Sequence, residues 1–226
     1  MKELLAKLKV EVNNNLYLKD PITSELGQKI LYHGLDLLER NGFENFTFRK
    51  LGEKIASTEA SIYRYFDNKH RLLLYLIDWY WGWMEYKLML STSNIPSAEK
   101  RLEKAIQLIT EEGPEIKNTL FDINKLQKVL NTESSKAYYT KDAEKYYKLG
   151  AFKNYKEFLD RFSTIIRDIN PNYKYPQMLV STIIEGANHQ IFFTQHLPTL
   201  MDKSNGQAHI TKFYHELVIK SLKPQA

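Results

Sequence analysis

Between Thr47 and Asn68 the chain has room for two very short helices, one tight turn and little else. Thr47 is a good N-cap for a helix Phe48–Ile55. Phe48, Leu51 and Ile55 share one face of it, and Arg49, Lys50, Glu53 and Lys54 the other. Ala56-Ser57 makes the turn. Thr58 caps the next helix, whose inward residues are Ile62 and Phe66, with Tyr65 partly buried. Two short helices joined by a turn of this length form a helix-turn-helix, and a preceding helix braces it.

The brace is legible upstream. Thr23 or Ser24 caps it, Glu25 sits in its first turn, and Leu26, Ile30, Leu31, Leu35 (or Gly34) and Leu38 recur at three and four. Asn41-Gly42 ends it, glycine being suited to a left-handed cap, and Phe43 and Phe46 plug the base of a small core. Asn68 caps a further helix from Lys69 to Leu90. Leu72, Leu76, Trp79 and Trp83 form one stripe on it, with Leu73, Ile77 and Tyr80 beside them. A helix apolar round so much of its girth is covered on more than one side. No linker separates it from the small bundle, so it belongs to both domains and can carry a shift between them.

Ser97 caps a helix over 98–112, closed by Gly113-Pro114. Another is expected over 115–131, with Ile116, Leu120, Ile123, Leu126 and Leu130 inward. Residues 132–150 are polar and tyrosine-rich and read as a loop with a short helix. Helices over 151–169, 176–196 and 207–222 complete the chain, Ser181 and Gly186 allowing close approach on the second of these. There is no strand alternation, hairpin signal or fixed-period repeat. The fold class is therefore all-α. A helix-turn-helix bundle (23–70) follows an N-terminal arm (1–22) and precedes a larger helical domain (71–226). The arm reads either as a frayed or docked segment or as a basic arm that reaches a DNA groove.

Composition narrows the chemistry. The apolar fraction of 43% supports a real core. With no cysteine, disulfides, thiolate metal sites and cysteine nucleophiles are excluded, which fits a reducing cytosol. No signal-like apolar core and no run of 18 apolar residues is present, so a cytoplasmic protein without a membrane partner is expected. Residues 47–71 carry six basic side chains against three acidic ones, whereas 1–46 carry six against seven. The basic excess is thus local to the helix-turn-helix. Glu185, His189 and His196 share a helix face, but structural histidine is the simpler reading, and no metal or cofactor is expected. No Gly-x-Ser-x-Gly, phosphate loop or dinucleotide glycine pattern suggests an enzyme.

Asn41-Gly42-Phe43, Phe46 to Ile55, Ser61-Ile62-Tyr63-Arg64-Tyr65-Phe66, and Asn68-Lys69 with Leu72-Leu73 occur together at fixed distances. This block resembles the DNA-binding region of the tetracycline-repressor (TetR) family of bacterial transcription regulators. It covers residues 26–73, about a fifth of the chain. Three positions depart from the family pattern. Ala56 stands where glycine is usual, Ser57 where an apolar residue is usual, and Gly52 where alanine is common. Ala56 is expected to avoid a positive φ, and the turn to differ accordingly.

A helix in this position enters the major groove with its N-terminal part against base edges. Thr58, Glu59, Ala60 and Ser61 would face bases. Ala60 suits a thymine methyl. Glu59 suits a cytosine amino group, or serves only the helix dipole. Arg64 would reach a guanine or a phosphate, and Arg49 joins the set from the outer face of the preceding helix. Thr47, Tyr63 and Lys69 match family positions that hold the backbone. The resemblance also implies a homodimer formed by the last two helices, for which Ile183, Ala187, Ile191, Phe213, Tyr214 and Leu217 are the candidates, intramolecular core being the other reading. It further implies an effector pocket. Trp79, Trp83, Tyr86, Phe121, Phe158, Phe162 and His189 are its candidates, each also readable as core, and no charged residue stands out. The effector would then be apolar or aromatic. The function implied is a dimeric regulator, acting as a repressor on a near-palindromic operator in double-stranded DNA and released by a small molecule. The alternatives are a regulator that answers to a protein partner, and a helical interaction module whose changes at Ala56-Ser57 mark lost DNA binding.

Overall fold

Helix caps decide where the elements begin. In the computed structural model, which describes residues 5, 8–111, 120–202 and 207–223, the helices are α1 (Glu25–Asn45), α2 (Phe48–Lys54), α3 (Glu59–Tyr63), α4 (Lys69–Thr92), α5 (Ala98–Thr110), α6 (Ile123–Tyr138), α7 (Ala143–Lys148), α8 (Lys153–Ile169), α9 (Pro176–His196) and α10 (Gln207–Leu222). Single 3-10 turns occur at Asn14–Leu16, Pro21–Thr23 and Pro198–Leu200. No strand occurs among the described residues, and the fold is all-α. No described helix is long and apolar enough to cross a membrane. Ser24, Thr47, Thr58 and Ser97 each accept an amide N–H from three residues on, and Asn68 does the same for Arg71. Gly42, at φ 69°, breaks the regular run of α1 where the sequence places its end.

One helix differs from expectation at both of its ends. α6 starts at Ile123 and runs on to Tyr138. Asp122 accepts the amides of Asn124 and Lys125, a stronger start signal than the apolar spacing of Leu120 and Ile123. Residues 112–119, with the expected Gly113-Pro114 stop and the first turn of the 115–131 helix, lie outside the described residues. The stretch 132–138, part of the region expected to be a loop with a short helix, continues α6 and buries one side of it. Ala137 is buried, and the buried Glu133 carboxylate meets the Lys136 ammonium at 2.7 Å.

The chain divides into two compact units, residues 1–83 with 115–155 and residues 84–114 with 156–226. In the first, α1 packs along α6. Lys125 donates to Asp36 at 2.6 Å across that contact, and this bond holds the Asp36 carboxyl below the usual carboxylate range. Residues 8–20 also belong to this unit. They run as an extended segment with one 3-10 turn, burying Val10 and Leu16.

The second unit is built on α5, α9 and α10. Val180, Ile183, Ile184, Ala187 and Ile191 on α9, and Ile210, Tyr214, Val218 and Leu222 on α10, are buried within it. Ile183, Ala187, Ile191 and Tyr214, expected at a dimer seam, are therefore occupied in the chain's own core. Phe213, 50% exposed, and Leu217, 37% exposed, remain on the surface of α10. The close approach expected at Gly186 is made to Tyr214, whose hydroxyl lies inside the space a Cβ there would need. Gly186→Ala should therefore cost stability, by about 1–3 kcal/mol of overpacking less about 1 kcal/mol of helix propensity gained. Thermal unfolding of Gly186→Ala, Tyr214→Phe and the double variant checks this: Tyr214→Phe should recover much of the loss.

Candidate nucleic-acid interface

α2 and α3 are held from behind by a dense aromatic and aliphatic cluster. Phe46, Phe48, Leu51, Ile62 and Phe66 are all buried. Tyr65, 3% exposed, is core as well, and its hydroxyl lies 2.7 Å from the Ser24 hydroxyl at the start of α1. Between α2 and α3 the chain turns tightly. The amide of Ile55 donates to Leu51 at 3.0 Å and that of Ser57 to Gly52 at 2.9 Å. Ala56 takes φ 51°, the left-handed region, contrary to the expectation that it would avoid it. A Cβ at Gly52 would stand 2.8 Å from the Ser57 carbonyl oxygen. The turn is thus closed down onto Gly52, and the alanine at 56 accepts the strain that this closure imposes.

The outward face carries most of the residues singled out from the sequence. Thr47, Arg49, Thr58, Glu59, Ala60 and Arg64 are exposed and Ser61 is half-buried. The Thr58 and Ser61 hydroxyls are 2.8 Å apart, and the Thr58 hydroxyl also accepts the Ser61 amide N–H at the N-terminus of α3. Arg49 pairs with Glu53 at 3.2 Å, with both side chains largely in water, a contact weak enough to be exchanged for another partner. Tyr63 is 45% exposed and meets the Phe48 ring edge-on with centroids 5.1 Å apart.

Lys69 is turned inward. Its ammonium donates to the carbonyls of Phe43 at 2.8 Å, Glu44 at 3.2 Å and Phe46 at 3.2 Å, and lies 4.5 Å from the Phe43 ring centroid. These are carbonyls at the C-terminal end of α1, where a cation also meets the negative end of the helix dipole. In this geometry the side chain joins the end of α1 to the start of α4, and its three N–H donors are engaged.

The effector candidates divide between the two units. In the first, Trp79 and Phe121 are buried with ring centroids 4.8 Å apart, and Trp83 is buried too. In the second, Phe158 and Phe162 are buried at 6.3 Å, whereas Tyr86 and His189 are exposed, His189 stacking on Phe193. His196 packs on Phe192 at 4.6 Å, and no cluster of three metal-ligating side chains occurs among the described residues. None of the seven candidates lines the cleft of about 650 Å3 in the second unit, which is bounded by Glu85, Arg101, Glu157, Asp160, Arg161 and Asp168 among others. Its guanidiniums are paired, Arg101 with Asp168 at 2.7 Å and Arg161 with Glu85 at 2.5 Å. Sequence reasoning missed Lys87, which is 8% exposed and whose pKa burial pulls down to about 8. Its signal was the single lysine in the second half of a helix where Glu85 is the other charged residue.

This arrangement is a helix-turn-helix with a polar reading face and a buried support. Residues 30–76 match the model of the family described as bacterial regulatory proteins, tetR family. They are thus a TetR-family DNA-binding domain, and the chain has the fold of TetR-family transcriptional regulators. A protein from Saccharomonospora viridis assigned as a transcriptional regulator, in complex with choline, superposes with TM-score 0.60 at 14% identity, over 85% of this chain and 94% of its own. The superantigen PfiT gives TM-score 0.58 at 15% identity, over 92% and 100%. AibR, in complex with isovaleryl coenzyme A and operator DNA, gives 0.53 at 14%, over 84% and 97%. At such identities the likeness is one of fold, and the fold alone leaves function open. No curated protein sequence matches the chain.

Two outcomes are expected. Ala56→Gly relieves a left-handed strain of about 1–2 kcal/mol and adds about 0.5–1 kcal/mol of unfolded-state entropy, so it should stabilise the domain by about 0.5–1 kcal/mol in chemical denaturation. Lys69→Met leaves three carbonyls without their cation and should cost about 1–3 kcal/mol. It should leave the salt dependence of DNA binding unchanged, whereas loss of a phosphate contact would lower that slope by about one.

Proposed function

We propose that the chain is a homodimeric transcription regulator that binds a near-palindromic operator through α3 and is released from it by a small-molecule effector, acting as a repressor in the cytoplasm. The observation that carries this reading is the TetR-family match at residues 30–76 together with the exposure of Thr58, Glu59, Ala60 and Arg64 on one side of a rigidly backed helix. Thr58 to Ser61 face base edges. Thr47, Tyr63 and Arg49 hold phosphates, and Arg64 takes either a guanine or a phosphate. Lys69 acts from behind by fixing the end of α1. The positive φ at Ala56 keeps the turn in the shape glycine would give it, which speaks against the alternative in which this turn has lost its function.

Five residues of helix in a groove give little specificity, so a second copy of the reading head is part of the proposal. Phe213 and Leu217 on α10, one turn apart and exposed, are the first candidates for the pairing surface. On α9, Met178, Thr182, Glu185, His189 and Phe192 follow at spacings of three and four and are not fully buried. An effector is supported by the aromatic interior of the units and by the ligands bound in two structures of the same fold.

The test is a genomic pull-down followed by footprinting at several salt concentrations. A protected near-palindrome with two half-sites is expected. Arg64→Ala should weaken binding to it, either by about 1–3 kcal/mol with relaxed preference at one base pair or uniformly with a salt slope lower by about one. Absence of any protected site at low salt sinks the reading. Loss of protection on adding a compound that raises the melting temperature separates release by an effector from release by a protein.

A further inference from the structure

We infer that residues 10–20 form a positioning strap, tying the end of the recognition segment to the corner between α7 and α8 and so setting how α3 is presented; this rests on the DNA-reading role proposed above. Both attachments lie within the first compact unit.

At one end, the amide of Leu18 donates to the carbonyl of Tyr65 at 2.8 Å, and the Lys19 ammonium lies 5.2 Å from the Tyr65 ring centroid. Arg71 donates to the Asn15 carbonyl, and Tyr17 meets Tyr75 edge-on. Tyr65 follows directly on the Arg64 C-cap of α3. With only five helical residues, α3 has little internal rigidity, so its direction is set by what holds its two ends. The start is held by the turn at Ala56. The finish is held by Tyr65, through Ser24 on its hydroxyl and through the strap on its carbonyl.

At the other end, the Asn13 amide donates to the carbonyls of Leu149 and Gly150, each at 3.0 Å, and the Asn15 amide to Leu149 at 3.2 Å. Asn154, at the start of α8, donates to the Glu11 carbonyl at 3.0 Å. Two glycines make room for this path. A Cβ at Gly82 would stand 2.5 Å from Val10 Cγ1, and a Cβ at Gly150, whose φ is 76°, would overlap the Asn13 amide. A segment that rests on a surface needs no such spaces. This one is seated: its asparagines supply donors to the Leu149 carbonyl at the end of α7, and Asn13 shares the Gly150 carbonyl with the Lys153 amide. A displacement of the Leu149–Asn154 corner therefore reaches Tyr65 through Asn13, Asn15 and Leu18.

The experiment is amide hydrogen exchange on the full chain carrying Asn13→Ala with Asn15→Ala, and separately Gly150→Ala. Exchange should rise about tenfold or more at Leu18 and at Ile62 to Phe66, while the amides of α9 and α10 keep their wild-type rates. Gly150→Ala added to Asn13→Ala should give clearly less than the sum of the two effects, since both break the same tie and only the left-handed strain at residue 150 is added. Faster exchange at Leu18 with none at Ile62 to Phe66 overturns the inference, and so do additive effects. Should the double variant fail to fold, Asn15→Ala alone removes one exposed bond. It should give a smaller rise at the same amides, and a rise spread evenly over the chain would count against the strap. Where an operator is found, its affinity should fall about tenfold in the double variant while non-specific DNA binds as before. The exchange readout needs no DNA, so a chain without an operator sinks the regulator reading and leaves the strap to stand or fall on its own.

Discussion

One carboxylate organises the first unit. Every residue from Leu72 to Met84 on α4 is buried, and Asp78 lies in the middle of that run at 1% exposure. A buried charge is tolerable only when hydrogen bonds replace the water it has lost. Asp78 accepts the amide N–H of Asn154 at 3.2 Å, the Asn154 side chain at 3.2 Å and the amide N–H of Asn13 at 3.4 Å. One of these donors comes from the beginning of the chain and two from the beginning of α8. Because α4 follows directly on the recognition segment, the demand of this one group fixes what lies beside the reading head. Gly82, one turn further on, leaves the space that Val10 and the Asn154 side chain occupy.

The reading head itself shows a division of labour. Its outer face is made of short or exposed side chains that cost little to leave in water. Its inner face is aromatic and closed, with Lys69 bonded to the C-terminal end of α1 and Tyr65 to the start of the same helix. Rigidity therefore comes from the elements around α3, and recognition from a few groups on it. This separation would let an outer residue be replaced without disturbing the backing.

The sequence made the helix-turn-helix legible because its signals are local. Caps at Ser24, Thr47, Thr58, Asn68 and Ser97 depend only on a side chain and the amide three residues away. What stayed hidden depends on groups distant in the chain. Lys69 has a side chain long enough to reach toward a phosphate or back to α1, and only the position of three carbonyls decides between them. The apolar pattern on α10 fits two neighbouring faces. Ile210 and Tyr214 continue inward through Val218 and Leu222, whereas Phe213 and Leu217 point to the surface, and spacing alone does not say which series the core takes. The start of α6 was obscured because a cap at Asp122 competes with apolar residues on both sides of it. Ala56 shows the limit of residue preferences: alanine disfavours a positive φ, but two hydrogen bonds and the space at Gly52 outweigh that preference.

The division into two units has a consequence for how the protein is made. Each unit is assembled from two separate stretches, and the stretches alternate along the chain: 1–83, then 84–114, then 115–155, then 156–226. On a ribosome the first eighty residues emerge with their helix-turn-helix caps in place but without α6, the Leu149 corner or Asn154. Lys125, Asn154 and the Leu149 and Gly150 carbonyls, which bond Asp36, Asp78 and Asn13, have not yet been synthesised. The first unit therefore closes only after roughly seventy more residues have emerged, and its closure carries the loop entropy of contacts between distant stretches. A product truncated after residue 83 would carry every residue of the recognition helix and lack the partners that α6, Leu149 and Asn154 supply.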